Sequence, residues 1–223
     1  VSNLESQSFY KDRGIDLNGN LRLDWNVIEG LKLSVIGGGY LNYNNNKRFL
    51  ATQYINSITT LGPSTLTQNS SNSNYKTAQA LAEYTKNIKK HHFNVLAGYS
   101  FEESAADTLQ GFRKNFPSNT LPSINLGSAD GQTSDGNMAE WALSSLFGRV
   151  QYSFANKYFA EGVLRYDGSS RFPASKKYAT FPAMAVGWRI SEEPFLRDNV
   201  KWINELKLKA SRGTLGNQNI ANY

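Results

Sequence analysis

Apolar residues recur at every second position over much of this chain. From Leu17 to Val27 the odd positions hold Leu17, Gly19, Leu21, Leu23, Trp25 and Val27, while the even ones hold Asn18, Asn20, Arg22, Asp24 and Asn26. A period of two places those sets on opposite faces of an extended strand. Glu29-Gly30 turns the chain, and Leu31, Leu33, Val35, Gly37, Gly39, Leu41 and Tyr43 resume the apolar face. Tyr75 to Ile88 predicts a weaker strand, Lys89-Lys90 a turn, and Phe93 to Glu102 its return. The clearest hairpin follows. Leu146, Gly148, Val150, Tyr152 and Phe154 precede the Asn156-Lys157 turn, and Tyr158, Ala160, Gly162, Leu164 and Tyr166 come after it. Met184 to Ile190 and Leu206 to Ala210 predict the last two strands, with a short helix over Pro194 to Asn204 between them.

The connections alternate in length. Short turns separate the members of each hairpin, while 45–74, 104–141 and 169–180 carry no alternation and read as long loops. In "LRYDGSSRFP" (164–173), Asp167-Gly168 marks the point where a strand opens into such a loop. The eight predicted strands run roughly 10 to 14 residues, longer than the ~5–6 of soluble sheets. At ~3.3 Å per residue and a ~45° tilt, 10 residues rise about 23 Å, close to the ~25 Å apolar band of an outer-membrane barrel. The fold expected is therefore all-β: an antiparallel transmembrane β-barrel segment with short periplasmic turns and long extracellular loops. Phe154, Tyr158 and Tyr166 sit at strand ends, where interfacial aromatics belong. The polar face alone does not separate a wet lumen from the solvated side of a soluble sandwich. Strand length and loop asymmetry favour the membrane.

Composition changes this picture little. Among 223 residues, 19% are charged and 13% aromatic, and cysteine is absent, so no disulfide or thiolate metal site exists here. The net charge of +6 is spread along the chain rather than clustered, which argues against nucleic acid. No run of 18 apolar residues predicts a membrane helix.

Candidate chemistry is sparse. His91-His92 point to opposite faces of one strand and chelate one ion poorly. Glu102 and Glu103 diverge likewise, and Asp130 and Asp135 in "SADGQTSDGN" suit turns better than a calcium loop. No nucleophile motif or phosphate loop appears, so neither enzyme chemistry nor a cofactor is expected. Asp24, Arg149, Glu161, Arg165, Asp167 and Arg189 occupy the polar face and are expected to line the lumen, chiefly neutralising one another and a plug. The stretch 104–141 carries Phe112, Arg113, Phe116 and Trp141, aromatics with polar neighbours that suit a sugar face or a protein cap. The alternative is a loop that folds over itself with the same rings.

Four stretches together resemble one family. "SLFGRVQYSF" (145–154), "LRYDGSSRFP" (164–173), "FPAMAVGWRISEEPFL" (181–196) and "LKLKASRGTLGNQNI" (206–220) are similar to the barrel of SusC/RagA-type TonB-linked outer-membrane transporters, in that order and at similar spacing. "NGNLRLDWNVIEGLKLSVIGG" upstream fits more loosely. The resemblance implies a 22-stranded barrel, the size of plugged outer-membrane transporters, of which these would be about eight strands. All of 1–223 is then barrel domain, with the plug and the remaining strands outside this sequence. It implies import of oligosaccharides or peptides across a Gram-negative outer membrane, with a SusD-like surface lipoprotein as cap and TonB acting through the plug. The alternative from another class is a self-contained eight-stranded barrel that binds a ligand or adheres to a surface, and it requires the first and last strands to pair.

Overall fold

In a computed structural model the described residues are 7–218, apart from Asn56 and Lys201. Asn219 and Ile220, the end of the fourth quoted motif, lie outside them. Eight long strands form one antiparallel sheet: β1 (Phe9–Ile28), β2 (Leu31–Leu50), β5 (Thr65–Ile88), β6 (His91–Lys114), β7 (Ser128–Phe154), β8 (Tyr158–Ser169), β9 (Tyr178–Arg189) and β10 (Lys207–Gly213). Their spatial order is their chain order, with β1 and β10 at opposite ends of the sheet. The first and last strands are therefore not neighbours, which removes the condition the self-contained eight-strand barrel required. Two short strands, β3 (Gln53–Tyr54) and β4 (Thr60–Leu61), form a separate pair. No helix among the described residues is long and apolar enough to cross a membrane, a fact silent on crossing by strands.

Five strands, β1, β2, β5, β6 and β7, are longer than the alternation predicts, while β8 and β9 have 12 residues each and β10 only 7. The stretches expected as loops over 45–74 and 104–141 are mostly strand: β2 reaches Leu50, β5 starts at Thr65, β6 reaches Lys114 and β7 starts at Ser128. β7 has 27 residues, more than twice the ~9–11 of one bilayer crossing. The reason for the miss is physical. Alternation is a signal of one greasy and one wet face. Where both faces are wet, Asn, Ser and Thr serve on either side, and backbone bonding alone carries the ladder. The helix expected to Asn204 is also shorter: α1 is only Pro194–Arg197.

Contacts divide the chain into two units, one of residues 20–38, 76–103 and 141–223, the other of 1–19, 39–75 and 104–140. In the first, tight turns join the strands. Gly30 adopts φ +86, and an added Cβ would collide with the Thr85 carbonyl, so the turn needs glycine twice over. Neighbouring turns are tied by backbone bonds: Thr85 N to Gly30 O (2.8 Å), Ala155 N to Lys90 O (2.7 Å) and Arg189 N to Lys157 O (2.7 Å). The register pairs Leu146 with Tyr166, Val150 with Gly162 and Phe154 with Tyr158 on one face, then Gly162 with Met184 and Tyr158 with Trp188.

That face looks outward. Leu146 is 59% exposed, Val150 51%, Leu164 55% and Met184 67%. Large apolar groups left open in a continuous row are what a lipid-covered surface requires and what water penalises at ~25 cal/mol per Å². Rings bracket the row. Phe154 and Tyr158 stack at one end (centroids 6.4 Å), and Tyr166 and Tyr178 at the other (5.2 Å, 9° between planes). Eight residue steps from Tyr158 to Tyr166, at ~3.3 Å and a ~45° tilt, rise about 19 Å, to which the rings' own reach adds on the way to the ~25 Å band. β8 ends at Ser169, one residue past Asp167-Gly168, and Gly168 lies within the strand, where the Tyr178 ring covers it.

In the second unit a small core forms from Phe49, Ala51, Leu66 and Phe116, with Phe9 and Ile124 packed against it. Phe49 meets Phe9 at 5.7 Å and Phe116 edge-on at 5.6 Å. The segment after β6 bends back over β5: Asn115 N bonds Ser64 O (2.9 Å), and Phe116 N bonds Ser64 Oγ (2.9 Å).

Candidate functional site

The face opposite the apolar row carries the charges, and each residue's place follows from strand parity. Asp24 in β1 takes a hydrogen bond from Arg22 Nε (2.9 Å) and another from the Ser34 hydroxyl of β2. Lys32 pairs with Glu83 at 3.0 Å, and Asn94 donates to Glu83 Oε1 and Thr85 Oγ1, both at 2.9 Å. Arg149 in β7 is the direct ladder partner of Val163 in β8. Glu161 accepts from Gln151, its direct partner across β7 and β8. Arg165 pairs with Asp167 at 3.3 Å and donates to the buried Ser145 hydroxyl at 3.1 Å. Arg189 meets Glu205 at 3.5 Å.

Aromatic rings lie among these charges. Arg165 lies over the Phe147 ring (5.2 Å), Arg189 over Phe159 (5.4 Å), and Lys207 Nζ stands 3.5 Å from the Phe159 centroid. These cation–π seats hold the basic side chains near the wall. Sequence reasoning missed them because Phe147 and Phe159 look like errors in a polar row, and it missed Lys32 and Glu83 because their pairing spans two strands 51 positions apart in sequence. Lys207, Lys209, Gln151, Glu161 and Phe159 line one cleft of about 630 Å³.

A second cluster lies at the turn end. Glu193, just before α1, accepts from the Tyr158 hydroxyl (2.6 Å) and Trp188 Nε1 (3.1 Å) and pairs with Lys157 at 3.3 Å. Those donors, Tyr158 foremost, hold its carboxyl below the ordinary glutamate pKa. No sequence motif announces this clasp, because its members are dispersed over 36 positions.

The residues singled out in 104–141 fall on strands or in the core. Phe112 and Arg113 close β6, and Arg113 Nη1 donates to the carbonyls of Asn125 (3.2 Å) and Gly127 (3.1 Å). Phe116 is buried in the cluster described above. Trp141 lies in β7 under the Arg171 guanidinium at 5.5 Å. His91 bonds Tyr152 (2.8 Å), while His92 bonds Asn87 instead. Asp130 pairs with Lys114 (3.7 Å), and Asp135 Oδ1 accepts from Gly136 N (2.8 Å).

The profile of the family described as "TonB dependent receptor-like, beta-barrel" matches residues 2–215. The chain belongs to that family. It is SusC/RagA-like within it, and the family is one of the outer membrane. TonB-dependent receptor P3 of Formosa agariphila is 35% identical over 158 residues, 70% of this chain and 15% of that receptor. TonB-dependent receptor SusC of Bacteroides thetaiotaomicron is 47% identical over 78 residues, 35% of this chain and 8% of SusC. The RagAB peptide transporter shares the fold, with a TM-score of 0.88 and 24% identity over 97% of this chain and 24% of that one. The SusC/RagA-like chain thus spans a minor part of its relatives' lengths.

Proposed function

We propose that residues 1–223 are part of the transmembrane wall of a TonB-dependent importer that takes oligosaccharides or peptides through the outer membrane. A SusD-like surface lipoprotein caps it, and TonB acts on a plug carried by the rest of the importer. The observation that carries this reading is the two-faced sheet: an exposed apolar row bracketed by stacked rings, backed by ion-paired charge on the other face. Kinship with receptors and transporters supports it.

Asp24, Arg149, Glu161, Arg165, Asp167 and Arg189 then face a wet lumen. Most of them are paired within the wall, so they present a balanced polar lining rather than a fixed charge trap. Phe112, Arg113 and Trp141 belong to strands that project on the cell-surface side, where cap or substrate arrives. Transport needs no bond chemistry, and the chain acts as conduit rather than enzyme.

The test is genetic and direct. The gene for the full-length protein is deleted from its host and restored, and uptake of labelled oligosaccharides and labelled peptides is compared with and without the proton gradient. Gradient-dependent uptake of either class, lost on deletion and restored with the gene, is the expected result. Unchanged uptake of both classes would overturn the proposal.

A further inference from the structure

The connection from β9 to β10 leaves two large rings uncovered. Phe195, in α1, is 59% exposed, and Trp202, five residues past the end of α1, is 83% exposed. Neither belongs to the small buried core. Exposed ring surface of this size asks for a partner.

The segment that carries them is ordered by its own bonds. Arg197 N bonds Glu193 O (2.8 Å), Asp198 N bonds Pro194 O (3.1 Å) and Val200 N bonds Leu196 O (2.8 Å). Ser191 N reaches across to Leu206 O (3.3 Å), which ties the two ends of the connection together. Charge is settled locally too: Arg197 pairs with Asp198 (3.0 Å), and Glu193 with Lys157 (3.3 Å). What remains for a partner is ring surface.

Glu193 fixes the side of the wall on which the segment is rooted. Its carboxylate accepts from the Tyr158 hydroxyl (2.6 Å) and Trp188 Nε1 (3.1 Å). Tyr158 and Trp188 are direct ladder partners, and by strand parity they share the outward apolar face with Leu164, Met184 and Val186. The root is on that face, opposite the one that holds Arg189 and Phe159.

Depth follows from the same anchor. The row rises about 19 Å from Tyr158 to Tyr166, so a ~25 Å band centred on it ends about 3 Å past the Tyr158 backbone, within reach of that residue's own ring. The Tyr158 hydroxyl therefore marks the edge of the hydrocarbon, where tyrosine heads settle. Phe195 is two residues from Glu193, at most about 7 Å of chain. Trp202 is held close from both directions, two residues past Val200 and four before Leu206.

We propose that residues 194–202 rest on the phospholipid leaflet at the turn end of the sheet, with the Phe195 and Trp202 rings inserted among its headgroups. The occupant is a lipid surface because the segment continues a face that is already apolar at its root, and because rings flanked by paired charges suit the membrane interface. The inference rests on the membrane-wall reading proposed above.

The test uses the full-length protein, with any cysteine outside this cysteine-free stretch replaced by serine, in vesicles of phosphatidylethanolamine with a minority of phosphatidylglycerol. Phe195→Cys, Trp202→Cys, Arg197→Cys and Leu164→Cys are made singly and given a nitroxide label. Molecular oxygen reports contact with lipid, and a water-soluble nickel chelate reports contact with water. Arg197 lies about 200° round the helix from Phe195 and serves as the aqueous reference. The ratio of oxygen to nickel contact should be higher at 195 and 202 than at 197, and highest at 164. A ratio at 195 or 202 no higher than at 197 would overturn the inference. Labels there that neither reagent reaches would overturn it as well, since protein and not lipid would then cover the rings. Either result with a lipid-like ratio at 164 sinks the inference alone. A water-like ratio at 164 sinks the wall reading and the inference with it.

Discussion

Gln151 of β7 donates a hydrogen bond to Glu161 directly across the ladder from it, while their neighbours Val150 and Gly162 pair on the opposite face. One residue step thus separates a polar contact from an apolar surface 51% exposed at Val150. The membrane makes that step expensive to violate. Val150→Arg should destabilise the folded barrel by about 2–4 kcal/mol, as mid-bilayer arginine does, and Gln151→Arg by far less. Urea titrations of refolding into phospholipid vesicles measure both, and equal costs would contradict the facing.

Gly168 and Gly19 offer a second contrast. The Tyr178 ring lies over Gly168, whereas none of the described residues approaches within 4 Å of the Cβ position at Gly19. Gly168→Leu must push the ring from its stack on Tyr166, at a cost of about 1–3 kcal/mol typical of overpacking. Gly19→Leu should be near neutral. Unfolding midpoints in the same lipid give the comparison.

Phe49 is wholly buried between Phe9 and Phe116. Phe49→Ala should cost about 3–5 kcal/mol, since so small a core has little with which to fill the hole. Hydrogen exchange should report the loss locally, with faster exchange at Asn115 and Phe116, whose amides bond Ser64.

Glu193 predicts a pH dependence. Its folded pKa lies below the ordinary glutamate value of 4.5, so its contribution is complete above that value and is lost as pH falls through the lowered one. Trp188 fluorescence should therefore change below about pH 4.5 in the native protein. Glu193→Gln should show no such change. A transition retained in that variant would assign it elsewhere.

The strands that cross lipid were legible because solvent differs on their two faces. Leu146, Val150 and Leu164 announce themselves by alternating with Arg149 and Arg165. Residues 65–74 hold "TLTQNSSNSN", with no such contrast, so their alternation predicts a loop although they form the start of β5. The paired charges showed their face but not their partners, because Lys32 meets Glu83 through register rather than nearness in sequence. The core role of Phe116 was hidden for a similar reason: its companions Phe49 and Leu66 lie 50 or more positions upstream.

Continuation of β5, β6 and β7 far past the ring-bracketed row has a thermodynamic corollary. Residues beyond the bilayer arrive already ordered, so a docking partner need not freeze them, at a saving of roughly 1 kcal/mol or more for each residue that would otherwise have to be fixed. Loosening the ladder there, by proline at a bonded position for instance, would slow capture even where no capturing side chain had changed.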